Sequence, residues 1–481
     1  MKLRNGTFFC QTFAWIVWLV FPVHLPAQLD TDTLEDYRLH RPWCAAAQTF
    51  AINAGVWAFD RFVMEEDFSR VTPKSISRNL HHGLVWDNDQ FSTNLFAHPY
   101  HGSLYFNAAR CNGMNFWQSF PYTLGGSLMW ELAGEVEPPA INDLLATAIG
   151  GTALGELTHR MSALVLNDAD RGTTRVLREV VGALISPVRA VNRMLTGEMW
   201  QVAPYHSFHT IPLDFRFSAG VRYLVDDGYL IGGEYNPYVR FFLRYGNLYQ
   251  GSSVPYENFA FDVMFGLSSN QPLIGSIGLT GNLWSTSLDD DGEIVFGLYQ
   301  FFRYYDSKEV VSGSGLIPYK ISETASAGPG FRCRFTDVGT WRSIEQQCYL
   351  SGILLGGTLT DHYHVMDRNY NMGSGYSLKS CTRLDWGWGS CSFDFQHFRL
   401  FTWKGYEPEQ LEQSNLLYLD AQGDEGDVAF TIIRPSFRVR LLGGLQLSME
   451  AACFFRDTHY RYHHNVCTKT LELNFSLCYG F

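Results

Sequence analysis

From Pro212 to the C-terminus, apolar and polar side chains alternate along short segments separated by turn-rich breaks. The end of the chain shows this most plainly. Leu471, Leu473, Phe475, Leu477, Tyr479 and Phe481 fall on one face, and Glu472, Asn474, Ser476, Cys478 and Gly480 on the other. A period of two predicts a strand. An apolar-out, polar-in strand that ends on an aromatic has the form of the closing strand of a bacterial outer-membrane barrel. Leu213 to Tyr223 repeats the pattern, with Phe215, Phe217, Ala219 and Val221 outward and Asp214, Arg216, Ser218 and Arg222 inward. Phe259 to Leu267, Phe437 to Leu441 and Leu445 to Phe455 are equally regular, the last two joined by Leu442-Gly443-Gly444. About twelve such strands are expected, with ten or fourteen the neighbouring counts, since an even number returns both ends of the barrel to the periplasmic side. Long connections (Tyr305 to Ile321, Thr358 to Gly375, Thr402 to Asp427) alternate with tight turns such as Asp289-Asp290-Asp291-Gly292 and Trp386-Gly387-Trp388-Gly389. That alternation is the habit of barrels with long outer loops and short periplasmic turns.

The inward phase is basic. Arg216, Arg222, Arg240, Arg244, Arg332, Arg334, Arg383, Arg438 and Arg440 fall on it, with Asp214, Asp262, Asp385, Asp394, Glu450 and Glu472 among them. Two readings follow: an internal ion-pair network filling a narrow lumen, or an anion path or seat for phosphate-bearing lipid.

Before residue 200 the period changes. Ala45 to Met64 and Pro121 to Ala133 read as helices, the second with Pro121 in its first turn. Pro138-Pro139 opens a third helix from Ile141 to Leu164, on which Thr147, Gly151 and Gly155 recur every four residues and offer a smooth face to another backbone. Gly172 to Leu195 is a fourth, interrupted at Pro187, with Arg171, Arg175, Arg178, Arg189 and Arg193. A basic amphipathic helix suits a barrel mouth or a headgroup surface, or is simply solvated. The fold class expected is therefore an α+β membrane protein, a helical N-terminal domain followed by an antiparallel transmembrane β-barrel of about twelve strands.

The first 27 residues fit a secretory signal peptide: Lys2 and Arg4, an apolar run from Phe8 to Val23, then Leu25-Pro26-Ala27. The division expected is a leader over 1–27, a helical envelope domain over 28–200 and a barrel over 201–481. A net charge of −12 argues against nucleic-acid binding, and 15% aromatic residues suit interfacial girdles. Nine cysteines follow the leader, in an oxidising compartment. Cys381 with Cys391, and Cys453 with Cys467, straddle hairpin turns and are candidate pairs, subject to register. Outer-membrane lipid and the barrel-assembly machinery are the expected partners of such a chain, with no cofactor implied.

One segment resembles a known family. Val85 to Asp89 (VWDND), Asn94 to Gly102 (NLFAHPYHG), Leu104 to Gly113 (LYFNAARCNG) and Phe116 to Tyr122 (FWQSFPY) begin it. Trp130-Glu131, Gly134 to Pro139 (GEVEPP), Asn142-Asp143, Gly150-Gly151, Gly155-Glu156 and His159-Arg160 continue it. Together they are similar to the domain-of-unknown-function 3943 family of bacterial cell-envelope proteins, over about residues 45 to 200. Asn167 stands where that family carries Asp. The resemblance implies an envelope location and supplies no reaction.

The same segment holds the candidate chemistry. His98 and His101, around Pro99, read as loop residues, and a site would join them to Glu131, Glu135, Asp143, Glu156 or His159. Such a cluster binds a metal or does acid–base work on a lipid ester or phosphate. No recognised metal or triad spacing is present, so no metal is assigned. Asp143 and His159 lie more than four helical turns apart and cannot share a site on an unbroken helix. Carboxylates on apolar, glycine-rich helices need partners. Lumen arginines are the expected ones, which makes the helical domain a plug or scaffold in the periplasm or the lumen. A lipid-modifying enzyme is the alternative.

Overall fold

The computed structural model describes residues 40–86, 89–202, 211–225, 232–289, 293–310, 317–363, 368–409 and 423–480. The expected leader lies outside them.

Among the described residues, eight α-helices come first. They are α1 (Pro42–Phe62), α2 (Pro73–His82), α3 (His98–Cys111), α4 (Phe116–Ala133), α5 (Ile141–Leu145), α6 (Gly151–Val165), α7 (Gly172–Ile185) and α8 (Pro187–Thr196). A π-helical turn, Thr93–Ala97, leads into α3, and another, Ala146–Gly150, joins α5 to α6. The expected third helix is thus continuous from Ile141 to Val165 but underwound at its centre, where the π-turn lies. α4 starts earlier than Pro121 because Asn115 and Gln118 form a reciprocal capping box that satisfies the first free N–H groups. α2 and α3 were not expected, and α3 carries His98 and His101 on a helix where a loop was anticipated. The smooth face is used as expected. A Cβ on Gly102 of α3 would meet the Thr147 carbonyl oxygen at 1.9 Å, and one on Gly151 the Gly102 Cα at 2.6 Å.

Twelve antiparallel strands close a barrel in sequence order. They are β1 (Leu213–Val225), β2 (Glu234–Tyr245), β3 (Phe259–Gly266), β4 (Ile274–Ser287), β5 (Ile294–Asp306), β6 (Lys320–Val338), β7 (Trp341–Leu359), β8 (Tyr370–Trp386), β9 (Gly389–Thr402), β10 (Gly426–Arg440), β11 (Leu445–Tyr460) and β12 (Val466–Gly480). β12 pairs with β1 in the register Phe217 opposite Tyr479 and Val221 opposite Phe475, so the terminal alternation closes the sheet. Register also decides the cysteines. Cys381 faces Asp394 while Cys391 faces Leu384, and Cys453 faces Leu471 while Cys467 faces Asp457. Neither candidate pair is opposed, and all nine described cysteines are free thiols.

The wall separates two kinds of side chain. Outward positions such as Val221, Phe296, Leu298, Leu350, Tyr376, Leu378, Phe475 and Leu477 are exposed and apolar, as a lipid-facing belt requires. Inward ones are charged and joined across the lumen. Arg244 of β2 meets Glu345 of β7 at 2.8 Å, Arg240 of β2 meets Glu450 of β11 at 3.0 Å, and Tyr305 of β5 reaches Gln396 of β9 at 3.3 Å. Lys379 of β8 and Glu323 of β6 form a buried pair at 2.8 Å, braced by Ser351 and Ser377.

The helical domain touches the other side of this wall. On β5 the exposed Phe296 and Leu298 set the outward phase. Gln300, Phe302 and Tyr304 continue it. Gln300 donates to the Ile149 carbonyl at 3.0 Å, Phe302 joins the main apolar core, and Tyr304 packs on Phe91 and Phe96. The contact climbs from Tyr245 and Phe259 at the short-turn end, beside Arg160 and Phe116, to Tyr370 at the long-loop end, against Phe91. A plug with helix carboxylates paired to lumen arginines is therefore not what forms. Arg216, Arg240, Arg244, Arg383 and Arg440 pair with the barrel's own acids, and the helices pack against its outer face.

The domain's polarity is reversed as well. Arg175, Arg178, Arg189 and Arg193 are buried, while Val176, Val180, Leu184, Val191 and Leu195 of the same two helices are exposed. Arg193 binds Glu179 at 2.8 Å and Asp168 at 2.5 Å, and Arg178 binds Asp170 at 2.7 Å. The expected basic surface thus becomes an internal ion-pair network. α1 repeats the inversion, with Thr49 and Asn53 buried and Trp43, Phe50, Phe59 and Phe62 exposed.

Candidate functional site

Three of the candidate residues converge. His98 opens α3 directly after a π-turn, Asp143 lies on α5 directly before the other π-turn, and Glu131 lies in the last turn of α4. One ligand-capable atom from each falls within 4.8 Å of the other two. His98 Nε2 stands 3.5 Å from Asp143 Oδ1. Backbone and amide donors orient the carboxylates: the Ala140 N–H donates to Glu131 Oε2 at 2.8 Å, and Asn142 Nδ2 donates to Asp143 Oδ1 at 2.8 Å. The Ala140 bond exists because Pro138-Pro139 turns the chain back, with Val85 bridging Ala140 in parallel.

The other candidates go elsewhere. His101, one turn after His98, bonds Tyr105 Oη through Nε2 at 2.8 Å and packs edge-on against Trp130. Tyr105 Oη in turn donates to Asn53 Oδ1 of α1. Glu135 lies past the end of α4, and its carbonyl accepts from Asn79 at 3.1 Å. Glu156 is held by Arg110 at 2.7 Å and Arg160 at 2.7 Å, a buried ion triad inside the helical domain. Arg160 continues to the Pro255 carbonyl at 2.9 Å, tying that triad to the barrel. His159 Nδ1 meets Arg189 at 2.8 Å. Asp143 and His159 remain apart, as helical spacing requires. Asn53, Tyr105 and Arg110 were not singled out from sequence. No local motif marks them, since each acts through a partner on a distant helix.

Two small cavities lie in the lumen among the described residues. One, of about 230 Å³, lies at the short-turn end between Asp214, Arg216, Arg383, Asp385, Arg438 and Arg440. Its arginines are mostly paired: Arg216 to Asp214 at 3.1 Å and Arg440 to Asp385 at 2.7 Å. The other, of about 120 Å³, lies within the barrel beside Arg244, Asp262, Arg303, Lys379 and Asp394. Arg222 meets Tyr319 at 3.3 Å and Glu472 at 3.8 Å. Arg332 holds Asn258 at 2.7 Å, and Arg334 stacks on Tyr249. All nine arginines expected on the inward face thus have neighbours on the inner side of the wall or at its mouth.

The molecule is defined by this architecture: a closed twelve-strand antiparallel barrel carrying a helical domain on its outer wall. Residues 83–188, the centre of that helical domain, match the family described as Domain of unknown function (DUF3943). Among curated proteins none matches. Among solved structures, the barrel is similar to the KdgM porin in complex with disordered oligogalacturonate, at 8% identity over 55% of this chain and 99% of that one, with a TM-score of 0.23. OmpT of Vibrio cholerae in its trimer form shares 10% identity over 56% and 99%, with a TM-score of 0.19. OccK2 (OpdF) of Pseudomonas aeruginosa in complex with glucuronate shares 10% over 56% and 98%, with a TM-score of 0.17.

Proposed function

We propose that this protein is a sealed bacterial outer-membrane barrel that anchors a helical domain against its lipid-facing wall, with a structural or lipid-handling role in the envelope. The observation that carries the reading is the Arg244–Glu345 ion pair thrown across the lumen from β2 to β7. A path for solute would have to break it, while the pairs of Arg240 with Glu450 and Lys379 with Glu323 line the wall beside it. The polarity of the helices supports the second half of the reading. Trp43, Leu184 and Leu195 are 85%, 77% and 74% exposed while arginines fill the interior. Such a surface is costly in water and suited to acyl chains. It also adjoins a barrel wall whose own belt is apolar. Outer-membrane lipid is the implied partner, with the barrel-assembly machinery during insertion.

Purified full-length protein in planar bilayers should show no steady conductance. In vesicles carrying a lipid with a photoreactive acyl chain, adducts should map to residues 176–195 as well as to the barrel belt. Steady channel openings, or adducts confined to the barrel, would overturn the reading. One observation favours a second reading, an enzyme that modifies envelope lipids: His98, Glu131 and Asp143 meet in the domain that faces the lipid. Changed lipid species in membranes that express the protein, lost on His98→Gln, would select it.

A further inference from the structure

We propose that His98, Glu131 and Asp143 form a binding site for one divalent first-row transition cation, of the size and ligand preference of zinc. Four features of the molecule lead there.

The donors come first. One imidazole nitrogen and two carboxylate oxygens, from α3, α4 and α5, lie within 4.8 Å of one another. Mixed nitrogen and oxygen ligands at that spread suit zinc and its neighbours more than magnesium or calcium, which favour oxygen alone. No thiol belongs to the set.

The surroundings come second. A ligating carboxylate is normally oriented by an outer hydrogen bond. Glu131 has the Ala140 N–H at 2.8 Å, and Asp143 has the Asn142 amide at 2.8 Å. Both carboxylates are therefore fixed by groups that a cation does not displace.

The backbone is the third feature. The two π-turns of the domain flank the cluster: Thr93–Ala97 ends at His98, and Ala146–Gly150 begins two residues after the Asp143 neighbour Leu144. A π-turn is rare and tends to be kept where a helix must re-aim side chains for function. Here the re-aimed ends carry two of the three donors.

Access is the fourth. The side chains of Asp143 and His98 are 4% and 14% exposed, so the imidazole is the open side of a buried pair. Three protein ligands leave a further coordination position for water or substrate, the pattern of reactive rather than purely structural zinc centres.

The test uses the full chain in detergent, stripped with a chelator and titrated with zinc against a competing indicator. Wild type should bind one zinc per chain. His98→Gln, Glu131→Gln and Asp143→Asn should each weaken binding by roughly 10-fold or more. His81→Gln, an exposed histidine on α2 that bonds only the Ser77 carbonyl among the hydrogen bonds described, should bind as wild type does. Heat-modifiable gel migration reports whether each variant retains its barrel. Should a ligand variant fail to fold, zinc X-ray absorption of the loaded wild type decides. One imidazole with oxygen neighbours at about 2.0–2.1 Å sustains the site. Sulfur ligation, a hexaaqua-like shell, no bound zinc, or equal affinity in the triad variants overturns it.

Discussion

Arg244 on β2 and Glu345 on β7 sit nearly opposite each other in a twelve-strand ring, yet their side chains meet at 2.8 Å. The lumen is thus narrower than its strand count suggests, because long charged side chains reach across it. Breaking one partner leaves a charge in a confined interior, which costs about 3–5 kcal/mol. Glu345→Ala should therefore lower the unfolding midpoint in a urea titration of the vesicle-inserted protein. The double variant Arg244→Ala, Glu345→Ala should recover part of that loss and admit small ions. A double variant as unstable as the single one would show that the two residues do not act as a pair.

The crossing of α3 on the π-turn and α6 depends on two glycines. A Cβ at Gly102 would press on the Thr147 carbonyl, backbone that cannot swing aside as a side-chain end could. Gly102→Ala should loosen the helical domain by about 1–3 kcal/mol, the usual cost of overpacking. Limited proteolysis should then release fragments of residues 40–196 while the barrel keeps its heat-modifiable migration. Gly125→Ala, where a Cβ meets nothing within 4 Å, is the control and should resist protease as wild type does. Equal protease resistance of Gly102→Ala would sink the argument.

The barrel was legible because its rule is local. Each strand writes its own in–out alternation, so β1, β11 and β12 could be phased from neighbouring residues alone, and twelve strands formed. The helical domain obeys no such local rule. The alternation of Arg175, Arg178, Arg189 and Arg193 with Val176, Val180 and Leu184 defines two faces. It does not say which one is inside, and water and lipid give opposite answers. α3 was hidden because Pro99 and Gly102 look like loop residues. Pro99 follows directly on the π-turn Thr93–Ala97, inside a run of helical backbone, and Gly102 is demanded by the close α3 contact. The convergence of His98, Glu131 and Asp143 was foreseen only as one of several combinations. Their meeting depends on the Pro138-Pro139 reversal and on two π-turns, which pattern reading does not supply.

The long-loop rim carries a latch whose response to pH can be assigned a sign. Asp361, just past β7, accepts from Arg456 at 2.6 Å and 2.5 Å and from the Tyr460 hydroxyl, and its own N–H donates to Tyr460 Oη at 3.0 Å. Burial alone would raise the Asp361 carboxyl, but the hydrogen-bonded Arg456 guanidinium outweighs it and the carboxyl is held below the usual carboxylate range. A depressed acid contributes stability that is fully present above its unfolded value, near 3.8, and is lost as pH falls through the lower folded value. The latch should therefore hold unchanged between pH 8 and pH 5 and open only in stronger acid. Hydrogen exchange of the Asp361 amide, which donates to Tyr460 Oη, reads this once corrected for intrinsic pH dependence. Asp361→Asn should exchange fast at neutral pH, as the protonated latch does in acid. Opening of the wild-type rim already at pH 5 to 6 would show that the Asp361 carboxylate does not hold the latch.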